Sequence, residues 1–275
     1  MSRRPSVFVC LLLLGMPAAV PADLGNLLSK AASIVAKQDD ERSEIAVGRA
    51  VAGRLLGRFD LVADPRLQQY VNRVGHWVAL QSERPGLPWR FGVVESPALN
   101  AFATPGGIVL LTRGLYQVLE SEDELAAVLA HEIAHVVRKH HYAVVRNQEL
   151  TQLIAGELQQ RAGSSDALLQ TVAGRATEVL ARGLDQSAEY QADRDGMVLA
   201  ARAGYDSSAL LAVLERIERA GDGGADTALL LSTHPSPGDR LRALGAVVTP
   251  ALEAAAQPSP AAGRLLRRPL PRDAR

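Results

Sequence analysis

The sequence predicts a mostly helical α+β domain with a small β-sheet placed just before a central helix. Three observations predict it. Apolar residues recur at helical spacing over most of the chain, two short runs of strand-forming residues lie close together at 89–95 and 108–111, and one strongly patterned helix follows them from Ser121. The sheet is too short for a doubly wound arrangement.

In chain order, residues 24–82 read as helical. Leu27, Leu28, Ile34 and Val35 start one apolar stripe, and Ile45, Val47, Val51 and Leu55 suggest a second. A third helix begins at Asp64-Pro65, with Asp as N-cap and Pro in the first turn, where its missing N–H is not needed. Pro85, Gly86 and Pro88 break the helical pattern. Trp89 to Glu95 suits a strand, and Asn100-Ala-Phe-Ala-Thr-Pro-Gly-Gly107 leads into a second, Ile108 to Leu111. Ser121 and Glu124 fit a capping box, each side chain satisfying an exposed amide of the other. The helix they open carries Leu125, Val128, Leu129, Ala130, Ile133, Val136 and Val137 on a broad apolar face, with Arg138, Lys139, His140 and His141 at its end. Further helices are expected at 143–161, 166–182, 187–203 and 207–220, with Gly183, Gly204 and Gly221 where helices stop. Ser236-Pro237 starts a last short helix reaching about Leu244. No internal repeat is present.

Bulk composition narrows the class. The chain has 275 residues, 47% of them apolar, which is ample for a core. Its 30 basic and 30 acidic residues balance, and aromatics are only 4%. A nucleic-acid binder would show a basic surplus or stacking aromatics, so that class is excluded.

Residues 1–22 read as a cleavable signal peptide: Arg3 and Arg4 precede the apolar run Val7 to Leu14, and Val20-Pro-Ala22 offers small residues before Asp23. The only cysteine, Cys10, lies inside the apolar run, so the mature chain carries no thiol, disulfide or cysteine metal site. Cleavage leaves 28 basic against 30 acidic residues, and no later stretch has the roughly 18 apolar residues of a membrane span. A soluble periplasmic protein with a domain over 23–248 (helical part 24–82, catalytic part 83–248) is expected. The Pro/Ala/Arg-rich tail 249–275 is expected to be disordered.

The central helix contains His131-Glu-Ile-Ala-His135. Histidines at i and i+4 lie one turn apart on one face, so both imidazoles reach a single ion. Glu132 points about a quarter-turn away, within reach of a water on that ion; this is the metallopeptidase reading of the H-E-x-x-H pattern. Random composition gives such a match in roughly 1% of chains this long. Burying an unused polar trio on such a helix would be expensive, which strengthens the reading. A catalytic zinc needs a third protein ligand and an open position. Glu189 is the candidate, on the helix-forming stretch Ser187 to Arg194, and Asp193, four residues on, is placed to accept the spare N–H of a ligand histidine.

The segments HEIAH and EYQAD, with NAFATPGG ahead of them, resemble the gluzincin peptidases of the HtpX and CAAX-prenyl-protease type, and most nearly their soluble periplasmic branch. The similarity covers about residues 40–245. It implies a zincin-like fold and one Zn2+ held by His131, His135 and Glu189, with Asp193 orienting a ligand. It also implies that the Asn100–Leu111 region forms an edge strand beside the cleft. There Asn100, Ala101, Phe102, Ala103, Thr104, Gly106 and Gly107 bind extended substrate by backbone pairing. Ser232 to Arg240 matches the family's H-P-x-x-x-x-R pattern. His234 then either stabilises the oxyanion or occupies the open zinc position and keeps the enzyme latent. Arg240 neutralises or positions Glu189 or the developing charge. His140 and His141 are expected to serve the helix end or face solvent, and His76 to sit at a surface or core edge.

The expected activity is hydrolysis of peptide bonds in unfolded or misassembled envelope proteins by metal-activated water, with Glu132 as general base. A second reading is a periplasmic chaperone or assembly factor for outer-membrane proteins, peripherally associated with their assembly machinery and with latent peptidase activity. The Arg-rich stretch 264–275, with five Arg and one Asp, would suit an anionic lipid surface or simply a solvated end.

Overall fold

The structure is a computed structural model that describes residues 41–146, 184–220 and 233–245. Outside the described residues lie the segment 1–22 expected to be a signal peptide, the stripe at Leu27, Leu28, Ile34 and Val35, most of the helix expected at 143–161, all of that at 166–182, Gly183, Gly221 and the tail.

Among the described residues two helices come first, α1 (Glu41–Leu56) and α2 (Pro65–Ala79). The Asp64 carboxylate accepts from the Arg66 and Leu67 amides at 2.8 and 3.2 Å, the N-cap expected from the Asp-Pro pair. Three strands follow, β1 (Arg90–Val94), β2 (Ala101–Thr104) and β3 (Ile108–Thr112). Their order is β1-β3-β2, with β1 parallel and β2 antiparallel to β3. The sequence suggests two strands; the structure has three, because the four residues Ala101–Thr104 pair with β3 across a Pro105-Gly106-Gly107 turn. Gly106 and Gly107 take φ of 76° and 102°, the region where a side chain is strained. A strand this short carries too little periodicity to stand out from a linker. A short helix α3 (Arg113–Val118), capped by Thr112, is likewise not expected from six residues that include a glycine.

The remaining helices among the described residues are α4 (Glu122–Val137), α5 (Gln186–Arg202), α6 (Ala209–Ala220) and α7 (Pro237–Gly245). Ser121 caps α4 through the Glu124 amide, as expected. The reciprocal half differs: the Glu124 carboxylate accepts from the Glu120 amide at 2.7 Å and from both terminal nitrogens of Arg216, so a tertiary ion pair on α6 draws it away. Asp185 caps α5, and Gly204 follows its C-terminal end with φ 86°.

Alternation along the strands builds three layers. Phe91, Val93, Ala101, Ala103, Val109 and Leu111 face the main core with α2 and α4, while Val94, Phe102 and Leu110 face α1 together with Tyr142 and Val145. Leu125, Leu129 and Ile133 on α4 are fully buried in the main core. At about 1.5–3 kcal/mol each, their burial holds α4 in the centre and helps offset its buried polar groups.

One tie is not visible in the sequence. Glu44 of α1 is fully buried and accepts two bonds from Arg84, at 2.9 and 2.8 Å, and one from the Gly106 amide at 3.2 Å. Arg84 also donates to the Val136 carbonyl at the end of α4. This bidentate pair locks the β2–β3 turn to the end of the central helix. None of the described helices is long and apolar enough to cross a membrane. The architecture is the expected α+β arrangement, a small sheet packed before a central helix.

Candidate metal centre

His131, Glu132 and His135 are all buried on α4. The helix period places the two imidazoles on one face with Nε2 atoms 3.1 Å apart. Across from them α5 presents Glu189, whose Oε2 lies 3.7 Å from His131 Nε2 and whose Oε1 lies 3.5 Å from His135 Nε2. His234, just ahead of α7, sets its Nδ1 2.6 Å from Glu189 Oε2. Ligand atoms from these four residues all lie within 4.8 Å of one another. Donors of a tetrahedral zinc site with bonds of about 2.0–2.1 Å stand about 3.3 Å apart, and the separations among His131, His135 and Glu189, 3.1, 3.5 and 3.7 Å, scatter around that value. The donor set therefore fits a tetrahedral metal.

Helix approach makes this convergence possible. Gly196, two turns beyond Glu189, presses its backbone on His131; a Cβ there would lie 2.9 Å from the His131 Cα and N. Asp193, between them on the same face of α5 and fully buried, reaches His131 Nδ1 at 2.9 Å. That contact puts the proton on Nδ1 and leaves the Nε2 lone pair facing Glu189. Arg240 of α7 closes the set, donating to Asp193 at 3.0 and 2.5 Å. Its guanidinium is thus bound to the residue behind the histidine, not hydrogen-bonded to Glu189.

Burial and charge tune the groups in opposite directions. Burial pushes the Glu132 carboxyl up, and the Glu189 charge adds to that against His131, His234 and Arg240. For Glu189, burial works upward, but His234, His131 and Arg240 hold the carboxyl down at about 2. Asp193 is likewise held well below the usual range, burial being outweighed by Arg240 and His131. His234 is drawn upward because Glu189 outweighs the effect of its burial. Burial, aided by four neighbouring imidazoles, keeps His135 neutral.

A small cavity of about 30 Å³ opens against Glu132, His131, His234 and Arg240 and is otherwise lined by apolar side chains of β2, α3, α4 and α6, among them Ala101 and Leu214. β2 is one edge of the sheet and brings Ala101 to this cavity, whereas Ile108–Leu111 of the expected edge segment lies in the central strand β3. Along β2 and the turn after it, Phe102 points to the opposite layer, Ala103 and Thr104 are buried, and Gly106 is bound to Glu44. Asn100 accepts from Thr233 Oγ1 at 3.3 Å, tying this strand to the segment that carries His234, and its buried Nδ2 has no partner among the described residues.

Two histidines depart from expectation. His140 and His141 do not simply end the helix or face solvent. His140 Nδ1 lies 3.0 Å from His135 Nδ1, and the His141 ring centroid is 5.2 Å from that of His135. Burial pushes His141 down to about 3. Sequence spacing could not show this, because the chain leaves helical geometry at Lys139. His76 sits half-buried on α2 against the edge of Phe91, as expected.

Comparison with known proteins adds independent findings. The family model described as Peptidase family M48 matches residues 65–248. The chain is 30% identical over 208 residues to the beta-barrel assembly-enhancing protease of Escherichia coli K12, covering 72% of this chain and 42% of that protein. It is 32% identical over 173 residues to the mitochondrial metalloendopeptidase OMA1 of Schizosaccharomyces pombe, covering 63% and 50%. With OMA1 of Bos taurus the identity is 31% over 192 residues, covering 66% and 37%. The chain thus spans half or less of the length of these relatives.

Proposed function

Starting from the premise that this chain belongs to peptidase family M48 and is a metallopeptidase, we propose that it is a zinc endopeptidase acting on unfolded or misassembled envelope proteins in the periplasm. The observation that carries the reading is the convergence of His131, His135 and Glu189, with Asp193 fixing the His131 tautomer. One zinc ion per chain would be held by those three residues. Bound there, zinc lowers the pKa of a coordinated water from 15.7 towards about 7 and polarises a carbonyl.

Glu132 supplies the base. Burial raises its carboxyl, which brings it closer to the operating pH of a proton shuttle. It takes the proton of the attacking water and delivers it to the leaving amine. Asp193, itself clamped by Arg240, keeps His131 presenting Nε2. Extended substrate pairs with the free side of β2 by backbone bonds, which would tolerate varied sequences. The relative named for β-barrel assembly and the signal-like segment 1–22 support the envelope setting, with the domain over 23–248 and the tail 249–275 outside it.

His234 supports a second reading, in which a binding or assembly role dominates and the peptidase rests closed. Its imidazole bonds a ligand carboxylate and stands among the converging donors, where the open position would be. Replacing His234 with Ala raises proteolysis if this residue is a gate and abolishes it if it stabilises the transition state. The central test is Glu132→Gln. The variant is expected to retain one zinc while cleavage of an unfolded outer-membrane protein falls by at least about 100-fold. Cleavage at the wild-type rate would sink the assignment, and the same variant, expressed in the envelope, should trap the natural substrate.

A further inference from the structure

Just past α4 the chain turns through Lys139, the only non-glycine residue with positive φ (57°) among the described residues. That conformation is costly for a residue with a side chain. Lys139 Nζ lies 3.7 Å from the buried Glu44, which offsets part of the cost. The turn folds His140 back onto the zinc-facing helix, so that its ring meets that of His135 edge-on at 5.1 Å.

The contact between the two Nδ1 atoms, 3.0 Å long, requires one donor and one acceptor. His135 Nε2 faces His131 Nε2 and Glu189 Oε1, at 3.1 and 3.5 Å. With Nε2 as the donor to a shared metal, its lone pair is there and its proton is on Nδ1. His140 must then accept at Nδ1 and carry its own proton on Nε2. That nitrogen lies 3.2 Å from Gln191 Oε1. An amide oxygen can only accept, so the whole chain of donors has one direction: His135 to His140 to Gln191. Gln191 stands on α5 two residues after Glu189, so the relay also links the two helices that bring the donors together.

We propose that His140 is a positioning residue that holds His135 in the tautomer and ring orientation that a metal requires, with Gln191 fixing His140 in turn. The inference rests on His135 being a metal ligand. The two ligand histidines are then held differently: His131 by the carboxylate of Asp193, His135 by a neutral imidazole.

Zinc affinity of the full chain, measured by competition with a chromophoric chelator, tests this without using activity. His140→Ala should weaken zinc binding by about 10–100-fold, the usual effect of losing a partner behind a metal ligand. His140→Asn, whose Oδ1 stands where Nδ1 was, should stay within about threefold of wild type. Melting of the metal-free protein should be similar in all three. Wild-type affinity in His140→Ala, or equal loss in Ala and Asn, overturns the proposal. If His140→Ala fails to fold, Gln191→Met removes the terminal acceptor, and unchanged zinc affinity and an unchanged slowly exchanging His135 Nδ1–H resonance would overturn it instead. A His135→Ala protein that still binds zinc at wild-type strength refutes the metal-ligand reading itself, a separable failure.

Discussion

Replacing Gly196 with alanine tests whether the metal centre depends on how closely α4 and α5 approach. A Cβ at this position would stand 2.9 Å from the His131 Cα and N and 3.2 Å from the Ala130 carbonyl carbon. Comfortable carbon contacts are about 3.5–4.0 Å, so α5 would have to retreat by roughly 0.6–1 Å. All three opposing atoms are backbone, so no side-chain rotation can relieve the clash. Two effects then compete in the metal-free protein. Alanine is a better helix former than glycine by about 0.8–1.0 kcal/mol, whereas overpacking costs about 1–3 kcal/mol. The net loss of stability is therefore modest, about 0–2 kcal/mol. The proposed ligand set is less tolerant, since metal distances allow only about ±0.2 Å. Glu189 rides on α5 while His131 and His135 ride on α4, so the same retreat exceeds that tolerance several-fold. Zinc affinity should fall by at least about tenfold, measured by chelator competition beside thermal melts of the metal-free protein. A variant that melts higher than wild type and binds zinc as tightly would refute this account.

Two other perturbations follow from buried charge. Arg240→Met leaves the fully buried Asp193 carboxylate with His131 alone and without its guanidinium partner, and should destabilise the protein by about 3–5 kcal/mol in chemical unfolding. Adding Asp193→Leu should recover much of that stability but not zinc affinity, because His131 then lacks its acceptor. Glu122, at the start of α4, accepts from the hydroxyls of Tyr70 and Tyr205 at 2.6 and 3.1 Å, and burial raises its carboxyl. A raised carboxyl favours folding below the unfolded value of about 4.3 and loses that contribution as pH rises through the folded value. The stability of wild type minus that of Glu122→Gln should therefore decrease with rising pH above about 4.3; an increase over that window would contradict the assignment.

Much of the site is legible in the sequence itself. The spacing of His131 and His135 puts two imidazoles on one helical face by geometry alone, and the Asp64-Pro65 and Ser121 caps mark helix starts because each satisfies an amide that nothing else can reach. The stretch Ser187 to Arg194 likewise places Glu189 and Asp193 on one face four residues apart. The α+β class and the gluzincin-peptidase resemblance also follow from these local patterns, and the match to peptidase family M48 agrees with them.

What only the tertiary structure decided are approaches between segments far apart in sequence. The strand Ala101–Thr104 exists because β3 offers it partners, not because four residues announce it. Glu124 turns from its own cap to Arg216, and Arg240 settles on Asp193, because buried charges seek the strongest partner within reach. His140 reaches His135 only because the backbone reverses at Lys139, and His234 reaches Glu189 only because α7 docks beside α5. Helical period is a property of consecutive residues, so the sequence alone determined which side chains share a face. Which faces meet depends on backbone closeness, as at Gly196, and on burial summed over the whole core, so the fold alone decided how the ligand set closes.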